Sequence, residues 1–231
     1  MKLKQRILEI SLIKNWKRNQ QKKNFKGSEK YWEDRYQQHG NSGSGSYHHL
    51  AESKAEFLNE FVLRNKINTV LEFGCGDGNQ LTLAKYPKYI GLDVSPTAVK
   101  MCYNLFITDQ TKSFYLYNSL AFYDRAGLFN ADLTISLDVL FHLVEPEIFK
   151  NYIHHLFVSS TKYVIIYASD YNQKEEPIYR HENRRNFTSY VNKNIKGWKL
   201  KEIIKNKYPV DKYKERGSLS DFYIYEKTLD I

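Results

Sequence analysis

The chain has 231 residues, of which 42% are hydrophobic, a length and composition that suit one folded domain and exclude disorder throughout. Its apolar runs are shorter than the ~20 residues of a membrane span, and its first residues lack the uninterrupted apolar stretch of a signal peptide. Two cysteines do not make a disulfide framework, so we expect a reduced, cytoplasmic protein, and the formal net charge of +9 favours anionic partners.

Three features precede the first predicted strand. Residues 1–30 are densely basic, and apolar residues recur at helical spacing over residues 1–24, which predicts a basic amphipathic helix. Such a helix suits docking on the domain, on a partner or on a membrane surface. Residues 40–46, with the sequence Gly-Asn-Ser-Gly-Ser-Gly-Ser, have the composition of a flexible linker, and residues 52–63 carry the apolar stripe of a helix.

From residue 69 onward, predicted strands and helices alternate, which is typical of a parallel sheet with helices on both faces. The last two predicted strands have no helix between them, which indicates an antiparallel hairpin. The pattern predicts an α/β fold with a Rossmann-like, seven-stranded, mostly parallel sheet that ends in this hairpin. The predicted strands cover residues 69–73, 88–93, 113–118, 131–137, 162–169, 198–205 and 221–226, and the predicted helices between them cover residues 79–85, 96–106 and 146–158.

The first predicted strand runs into a loop with three glycines, in the sequence Glu72-Phe-Gly-Cys-Gly-Asp-Gly78. Glycine lets a backbone turn sharply and approach a ligand closely. The second predicted strand ends in Asp93, and a carboxylate at that position accepts hydrogen bonds from ribose hydroxyls. The glycine spacing differs from the dinucleotide fingerprint and from the P-loop. The pattern therefore predicts a nucleoside-containing ligand across the carboxyl ends of these two strands.

This glycine loop resembles motif I of the class I S-adenosylmethionine (SAM) methyltransferases, and Asp93 matches the ribose-binding acid of that family. The alternative is a structural glycine turn in an unrelated α/β protein. The resemblance implies SAM as the cofactor, with the glycine loop at its methionine end. The cofactor-binding residues expected from the resemblance are Glu72, Gly74, Cys75, Gly76, Gly78, Asp93, Val94, Ser119, Ser136, Leu137 and Arg35.

Residues 31–225 also resemble a bacterial group of methyltransferases found among genes for cell-surface polysaccharides and secondary metabolites. The shared patterns are Ser-Gly-x-Gly-Ser-Tyr, Leu-Ala-Glu-x-Lys-Ala-Glu, Leu-Asp-Val-x-x-His-Leu-Val-Glu, an Arg-rich run ending in Phe-Thr, and Asp-Phe-x-Ile-Tyr, at residues 42–47, 50–56, 137–145, 184–188 and 221–225. The resemblance implies that residues 31–60 form an ordered lid over SAM and not a tether. The chain departs from the group at His48-His49, where a glycine is expected.

The exit of the fourth predicted strand holds the candidate catalytic residues, because ligands of such sheets bind beyond the carboxyl ends of the strands. A hydroxyl acceptor must lose a proton during methyl transfer, and a neutral histidine with a pKa near 6.5 is the usual base. His142 is the favoured base. Asp138 precedes it by one helical turn and is the other candidate. A histidine that only packs beneath the loop is the alternative.

We expect residues 31–231 to form the methyltransferase domain, with residues 170–215 as an insertion on the acceptor side. That insertion contains an Arg-rich run, and arginine presents forked donors that match phosphate or carboxylate oxygens. A solvated loop is the alternative. The residues expected to bind an anionic acceptor are Tyr47, His181, Arg184 and Arg185. No Cys/His grouping has zinc spacing, so no metal site is predicted.

These features predict a SAM-dependent O-methyltransferase that acts on a small or carbohydrate-linked anionic acceptor, of the kind used to build cell-surface or capsule polysaccharide. An RNA-modifying methyltransferase is the alternative that the net charge suggests. Against it, the strand-four exit lacks the Asn/Asp-Pro-Pro-Tyr that clasps a flipped base. A non-catalytic subunit that binds a partner through residues 1–30 is the third alternative, and the intact glycine loop argues against it.

Overall fold

The computed structural model describes residues 25–173 and 180–228, so the predicted basic helix over residues 1–24 lies outside the described residues. The strands are β1 (Thr69–Phe73), β2 (Lys88–Asp93), β3 (Lys112–Leu116), β4 (Ala131–Leu137), β5 (Ser160–Ala168), β6 (Trp198–Ile204) and β7 (Asp221–Lys227). They form one seven-stranded sheet in the order β3-β2-β1-β4-β5-β7-β6. Strands β1 to β5 pair in parallel, and β7 runs antiparallel between β5 and β6. This confirms the predicted sheet.

Helices pack on both faces of the sheet. The described α-helices are α1 (Ser28–Gln37), α2 (His48–Arg64), α3 (Pro96–Leu105), α4 (Pro146–Val158), α5 (Phe187–Asn194) and α6 (Val210–Tyr213). Aromatic and aliphatic residues of α4 and α5 join one hydrophobic cluster, and those of α2 join the cluster on the other side. No helix among the described residues is long and apolar enough to cross a membrane.

The connection between β1 and β2 differs from the prediction. A helix was expected over residues 79–85, but only a short 3-10 helix forms, at Gln80–Leu83. Pro87 lacks an N–H group and disfavours helical backbone at the residue before it. Because β2 begins at Lys88, one residue later, the chain has no room for a longer helix.

The sequence around residue 95 determines where α3 begins, beside the candidate site. The Ser95 side chain accepts a hydrogen bond from the Ala98 N–H, and Pro96 occupies the first helical position. The helix therefore begins directly after Asp93 and Val94, at the carboxyl end of β2. The carboxyl ends of β1, β2 and β4 lie at the same edge of the sheet, and the candidate site is built there.

Candidate functional site

The loop of residues 74–78 requires glycine for both conformation and space. Gly74 and Gly76 have φ angles of +81° and +59°, in the left-handed region. A Cβ atom at Gly74 would lie 2.5 Å from Val139 Cγ2, and one at Gly76 would lie 2.3 Å from Ser42 Oγ. The loop is thus packed tightly between the exit of β4 and the segment before α2.

Asp93 lies against this loop, at the end of β2. Its Oδ2 accepts a hydrogen bond of 2.9 Å from the Gly76 N–H, and its Oδ1 accepts one of 2.9 Å from the Ser95 N–H. Burial raises the pKa of Asp93 to about 6. A carboxylate oxygen can accept two hydrogen bonds, so each oxygen keeps capacity for a further donor such as a ribose hydroxyl.

A cleft at this edge of the sheet, the first cleft, encloses about 860 Å³ of space, part of it open to solvent. Helix α1 and residues 42–46 cover it. Its lining includes four carboxylates, those of Glu29, Glu72, Asp93 and Asp138, and among the described residues that line it there is no Lys or Arg. The first cleft is therefore acidic, although the whole chain carries a formal net charge of +9.

Glu72 is the most deeply placed of these carboxylates. Its Oε2 accepts a hydrogen bond of 2.6 Å from the Tyr89 hydroxyl. Burial raises the pKa of Glu72 to about 7, and the hydrogen bond and the positive charge of Lys54 oppose that shift. Near neutral pH, small changes in its surroundings therefore change its charge.

The predicted cofactor residues divide into two groups. Those that line the first cleft are Glu72, Gly74, Cys75, Gly76, Asp93, Val94 and Leu137. The others lie elsewhere. Gly78 packs against Cys102 and Phe106, the Ser136 hydroxyl is hydrogen-bonded to the Tyr152 hydroxyl at 2.7 Å, and Ser119 is buried outside the cleft lining. Arg35 lines the neighbouring cleft described below.

The Ser/Gly segment is ordered by hydrogen bonds to the loop after β1. The Ser42 N–H and the Tyr47 hydroxyl both donate to Asp77 Oδ2 at 2.8 Å, and the Asp77 N–H donates to Ser42 Oγ at 2.9 Å. The Asn79 amide donates to the Ser46 carbonyl at 2.7 Å. Residues 42–47, the cover segment, therefore lie on the glycine loop. Tyr47, predicted to bind the acceptor, lines neither cleft, because Asp77 holds its hydroxyl.

Helix α1 is attached at both ends of the first cleft. Near the α3 N-terminus, the Glu33 carboxylate accepts hydrogen bonds from the Ser95 and Thr97 hydroxyls. On the opposite side, the Ser28 N–H donates to Glu145 Oε1 at 2.9 Å, and the Val144 N–H donates to Ser28 Oγ at 3.1 Å. These contacts hold α1 across the cleft opening.

His142 lies at the end of a short 3-10 helix, Leu140–His142, after β4. Its Nδ1 is 3.0 Å from the His181 carbonyl oxygen, which can only accept, so Nδ1 carries the proton and Nε2 keeps a lone pair. Its ring meets Trp32 edge to face at a centroid distance of 4.9 Å. Burial lowers the pKa of His142 to about 4, below the ordinary value near 6.5, and the ring is neutral at physiological pH.

Asp138 is engaged through both carboxylate oxygens. The Lys54 ammonium donates to Oδ2 at 2.9 Å, and the Ser220 hydroxyl donates to Oδ1 at 2.8 Å. Both oxygens of the Asp138 carboxylate therefore already accept hydrogen bonds from buried side chains. Of the two candidate bases, His142 has the free lone pair.

A second cleft, with about 1070 Å³ of space that includes open solvent, adjoins the first. Trp32, Ser42, Asp138 and His142 line both clefts. We call these four residues the junction. The second cleft is also lined by Tyr31, Arg35, Phe141, His181, Glu182 and Arg184. No group of three His, Cys, Asp or Glu side chains in the described part of the chain could hold a metal ion.

The predicted acceptor residues His181 and Arg184 both line the second cleft. The His181 ring stacks on Tyr31 at 4.1 Å between centroids. Arg184 pairs with Glu182 at 2.8 Å, and its guanidinium lies 5.2 Å from the centre of the Phe141 ring. The second cleft thus combines the faces of aromatic rings with the positively charged guanidinium group of Arg184.

Arg185 has a different environment. Its guanidinium donates to the carbonyl oxygens of Leu143 and Val144, both at 2.6 Å, and lies 4.8 Å from the centre of the Phe149 ring. Because main-chain carbonyls occupy its fork, Arg185 is outside the lining of the second cleft. The structure thus separates two neighbouring arginines that the sequence grouped together.

This difference predicts that the two substitutions lower stability by different amounts. Arg185→Ala leaves two carbonyl oxygens without their donors, so it should lower the free energy of unfolding by about 1.5–3 kcal/mol. Arg184→Ala removes a partly exposed ion pair and should cost less than about 1 kcal/mol. Urea unfolding of both variants checks the difference, and the reverse order would contradict the assignment.

Ser220 and Lys54 contact Asp138 without a predicted role, and Trp32 was predicted only as part of the lid of residues 31–60. For Lys54 a signal existed, since it occupies the same face of α2 as the buried residues Ala51, Ala55 and Leu58. A lysine on the core-facing stripe of a helix indicates a buried charge with a partner elsewhere.

No protein-family model matches the chain, and no curated protein matches it. Solved structures do. The methyltransferase domain of bacterial CtHen1-C has a TM-score of 0.60 and 18% identity, over 77% of this chain and 98% of that one. Magnesium protoporphyrin IX methyltransferase (ChlM) from Synechocystis PCC 6803, with bound SAH, has a TM-score of 0.56 and 14% identity, over 77% of this chain and 83% of that one. N-methyltransferase NodS from Bradyrhizobium japonicum WM9 has a TM-score of 0.58 and 12% identity, over 78% of this chain and 98% of that one.

At these identities the similarity establishes the fold. The chain has the Rossmann-like methyltransferase fold, a mostly parallel seven-stranded sheet with antiparallel strands at its C-terminal side.

Proposed function

We propose that the protein is a SAM-dependent methyltransferase that holds SAM in the first cleft and its acceptor in the second. The observation that carries the proposal is the acidic lining of the first cleft, with four carboxylates and no Lys or Arg among its described residues. Such a lining repels the pyrophosphate of a dinucleotide and attracts a nucleoside that bears a positive charge. SAM is such a nucleoside.

The residues of the first cleft fit this ligand. Asp93 has acceptor capacity for the two ribose hydroxyls, and the glycine loop leaves space for close approach of a ligand to its backbone. Glu72 and Asp138 supply negative charge near the glycine loop and the junction. Leu137 and Val94 offer apolar contacts. When bound, SAM supplies an electrophilic methyl group on a positively charged sulfur.

The junction residues support transfer to an oxygen. The His142 Nε2 lone pair can accept the proton that a hydroxyl loses as it attacks. Trp32 packs against the His142 ring and fixes its orientation. A methyl transfer of this kind needs the acceptor held in line with the methyl group, and such positioning contributes much of the acceleration.

The acceptor that we propose is small or carbohydrate-linked and anionic. Arg35 and Arg184 in the second cleft support the anionic group, and the stacked rings of Tyr31 and His181 offer apolar faces of the size of a sugar ring. The resemblance of residues 31–225 to enzymes of polysaccharide clusters supports a cytoplasmic role in making cell-surface or capsule precursors.

Calorimetry with SAM and its neutral product S-adenosylhomocysteine (SAH) tests the cofactor. SAM should bind about threefold to tenfold more tightly than SAH, because a full positive charge meets the carboxylates. The pKa values of Glu72 and Asp93 are raised to about 7 and about 6, so both are more protonated below pH 6. SAM affinity should therefore rise with pH from about 5.5 to 7.5. Absence of SAM binding would overturn the proposal and favour a non-catalytic subunit.

An RNA-modifying methyltransferase is the second candidate, favoured by the net charge of +9. It predicts that RNA binds with a steep salt dependence, because each phosphate contact releases counterions. Methyl transfer from labelled SAM to fractionated small metabolites and to total RNA separates the two candidates. Labelling confined to RNA would favour the second.

A further inference from the structure

A buried lysine in α2 has no part in the proposed chemistry. The side chain of Lys54 is only 1% exposed and lies among the apolar residues of that helix. Transfer of an ammonium group from water into a protein interior is costly unless the charge is paired. Lys54 belongs to the Leu-Ala-Glu-x-Lys-Ala-Glu pattern of residues 50–56, whose role the sequence leaves open.

The partners of Lys54 come from three strands. Its ammonium donates to Asp138 Oδ2 at 2.9 Å, at the exit of β4, and lies 5.3 Å from the centre of the Tyr167 ring on β5. Its charge also acts on Glu72 of β1. These are the titratable groups that face Lys54, and His142 lies in the electrostatic range of Asp138. The lysine is therefore the counter-ion of the acidic wall of the first cleft.

Asp138 itself is held in an unusual position. Its φ angle is +59°, which is uncommon for a residue with a side chain. Its N–H donates to the Tyr167 carbonyl at 2.8 Å, and Ser220 donates to its Oδ1. A Cβ atom at Gly45 of the cover segment would lie 2.7 Å from its Oδ2. The carboxylate thus has one available position, in the wall that the two clefts share.

We propose that Lys54 is a positioning residue, whose buried ammonium holds the Asp138 carboxylate in place at the junction for a cationic ligand. This inference rests on the proposed function, since the cationic ligand is the sulfonium end of SAM. Lys54 acts through Asp138 and is absent from the lining of both clefts. Its removal therefore acts on the charge of the wall and not on the shape of the cleft.

The test compares Lys54→Met with Lys100→Met, which removes an exposed lysine from α3. Calorimetric titrations with SAM and with SAH are made at neutral pH. Without the ammonium, the Asp138 carboxylate loses the partner that holds it at the junction, so SAM affinity of Lys54→Met should fall about tenfold. SAH affinity should change less than about threefold, because its sulfur is neutral. Lys100→Met should behave as the wild type.

Equal losses for SAM and SAH, or no loss for either, would overturn the inference, because a residue with only a structural role makes no distinction by charge. If Lys54→Met is unfolded at pH 7, the double variant Lys54→Met/Asp138→Asn removes both charges of the ion pair and should fold. The inference fails if this variant prefers SAM over SAH as strongly as the wild type does. Failure of the wild type to bind SAM would instead refute the proposed function.

Discussion

Replacing His142 by alanine should lower kcat by about 100-fold or more, while SAM affinity stays within about threefold of the wild type. The Nε2 lone pair of His142 is available because Nδ1–H donates to the His181 carbonyl, so the variant loses the proton acceptor. Burial lowers the pKa of His142 to about 4, and the rate should thus be constant from pH 6 to pH 8. Single-turnover rates and SAM titrations check both expectations.

His142→Asn is the matched control. Its amide N–H can replace Nδ1–H as the donor to the His181 carbonyl, but asparagine has no basic nitrogen. It should be as inactive as His142→Ala and more stable. If either variant retained a third of the wild-type kcat, another group or solvent would accept the proton. Loss of SAM binding in both would make His142 a structural residue.

Replacing Asp93 by alanine should weaken SAM binding about 100-fold. Two hydrogen bonds from ribose hydroxyls to a carboxylate contribute about 1.5–3 kcal/mol each, and tenfold in affinity corresponds to about 1.4 kcal/mol. Asp93→Asn keeps the shape and should weaken binding about tenfold. Calorimetry measures both, and unchanged affinity would mean that the glycine loop binds a different ligand or none.

The pKa of Asp93 adds a check that separates function from stability. Because burial raises this pKa to about 6, the ionised form is disfavoured in the folded state. The folded protein then holds a proton over a pH range in which the unfolded chain has lost it, so this group lowers stability as pH rises from about 4 to about 6. Asp93→Asn should therefore be at least as stable as the wild type at pH 7.

The sheet and the glycine loop could be predicted from the sequence because their signals are local. A buried strand, closely spaced glycines and a second strand ending in an acid all lie within residues 69–93. The structure brings these features to one edge of the sheet, as expected. The helix predicted at residues 79–85 was wrong because Pro87 limits the space before β2.

Which side chains share the candidate site could not be predicted, because it depends on contacts between residues that are distant in sequence. Arg184 and Arg185 are the same type of residue at neighbouring positions, yet the carbonyl oxygens of Leu143 and Val144 accept hydrogen bonds only from Arg185. Lys54 and Asp138 are 84 residues apart, and a lysine in a helix gives no sign of which carboxylate it meets. Local patterns predict elements, and tertiary packing decides which side chains share a site.

The contacts at the junction join residues from distant parts of the chain, and this affects when the junction can form during protein synthesis. Ser28 near the start of α1 donates to the His142 carbonyl, and Ser220 just before β7 donates to Asp138. A ribosome-bound chain that has exposed β1 to β5 has a nearly complete parallel sheet, but Asp138 still lacks its contact with Ser220. The junction can thus be completed only after Ser220 has left the ribosome, later than the five parallel strands.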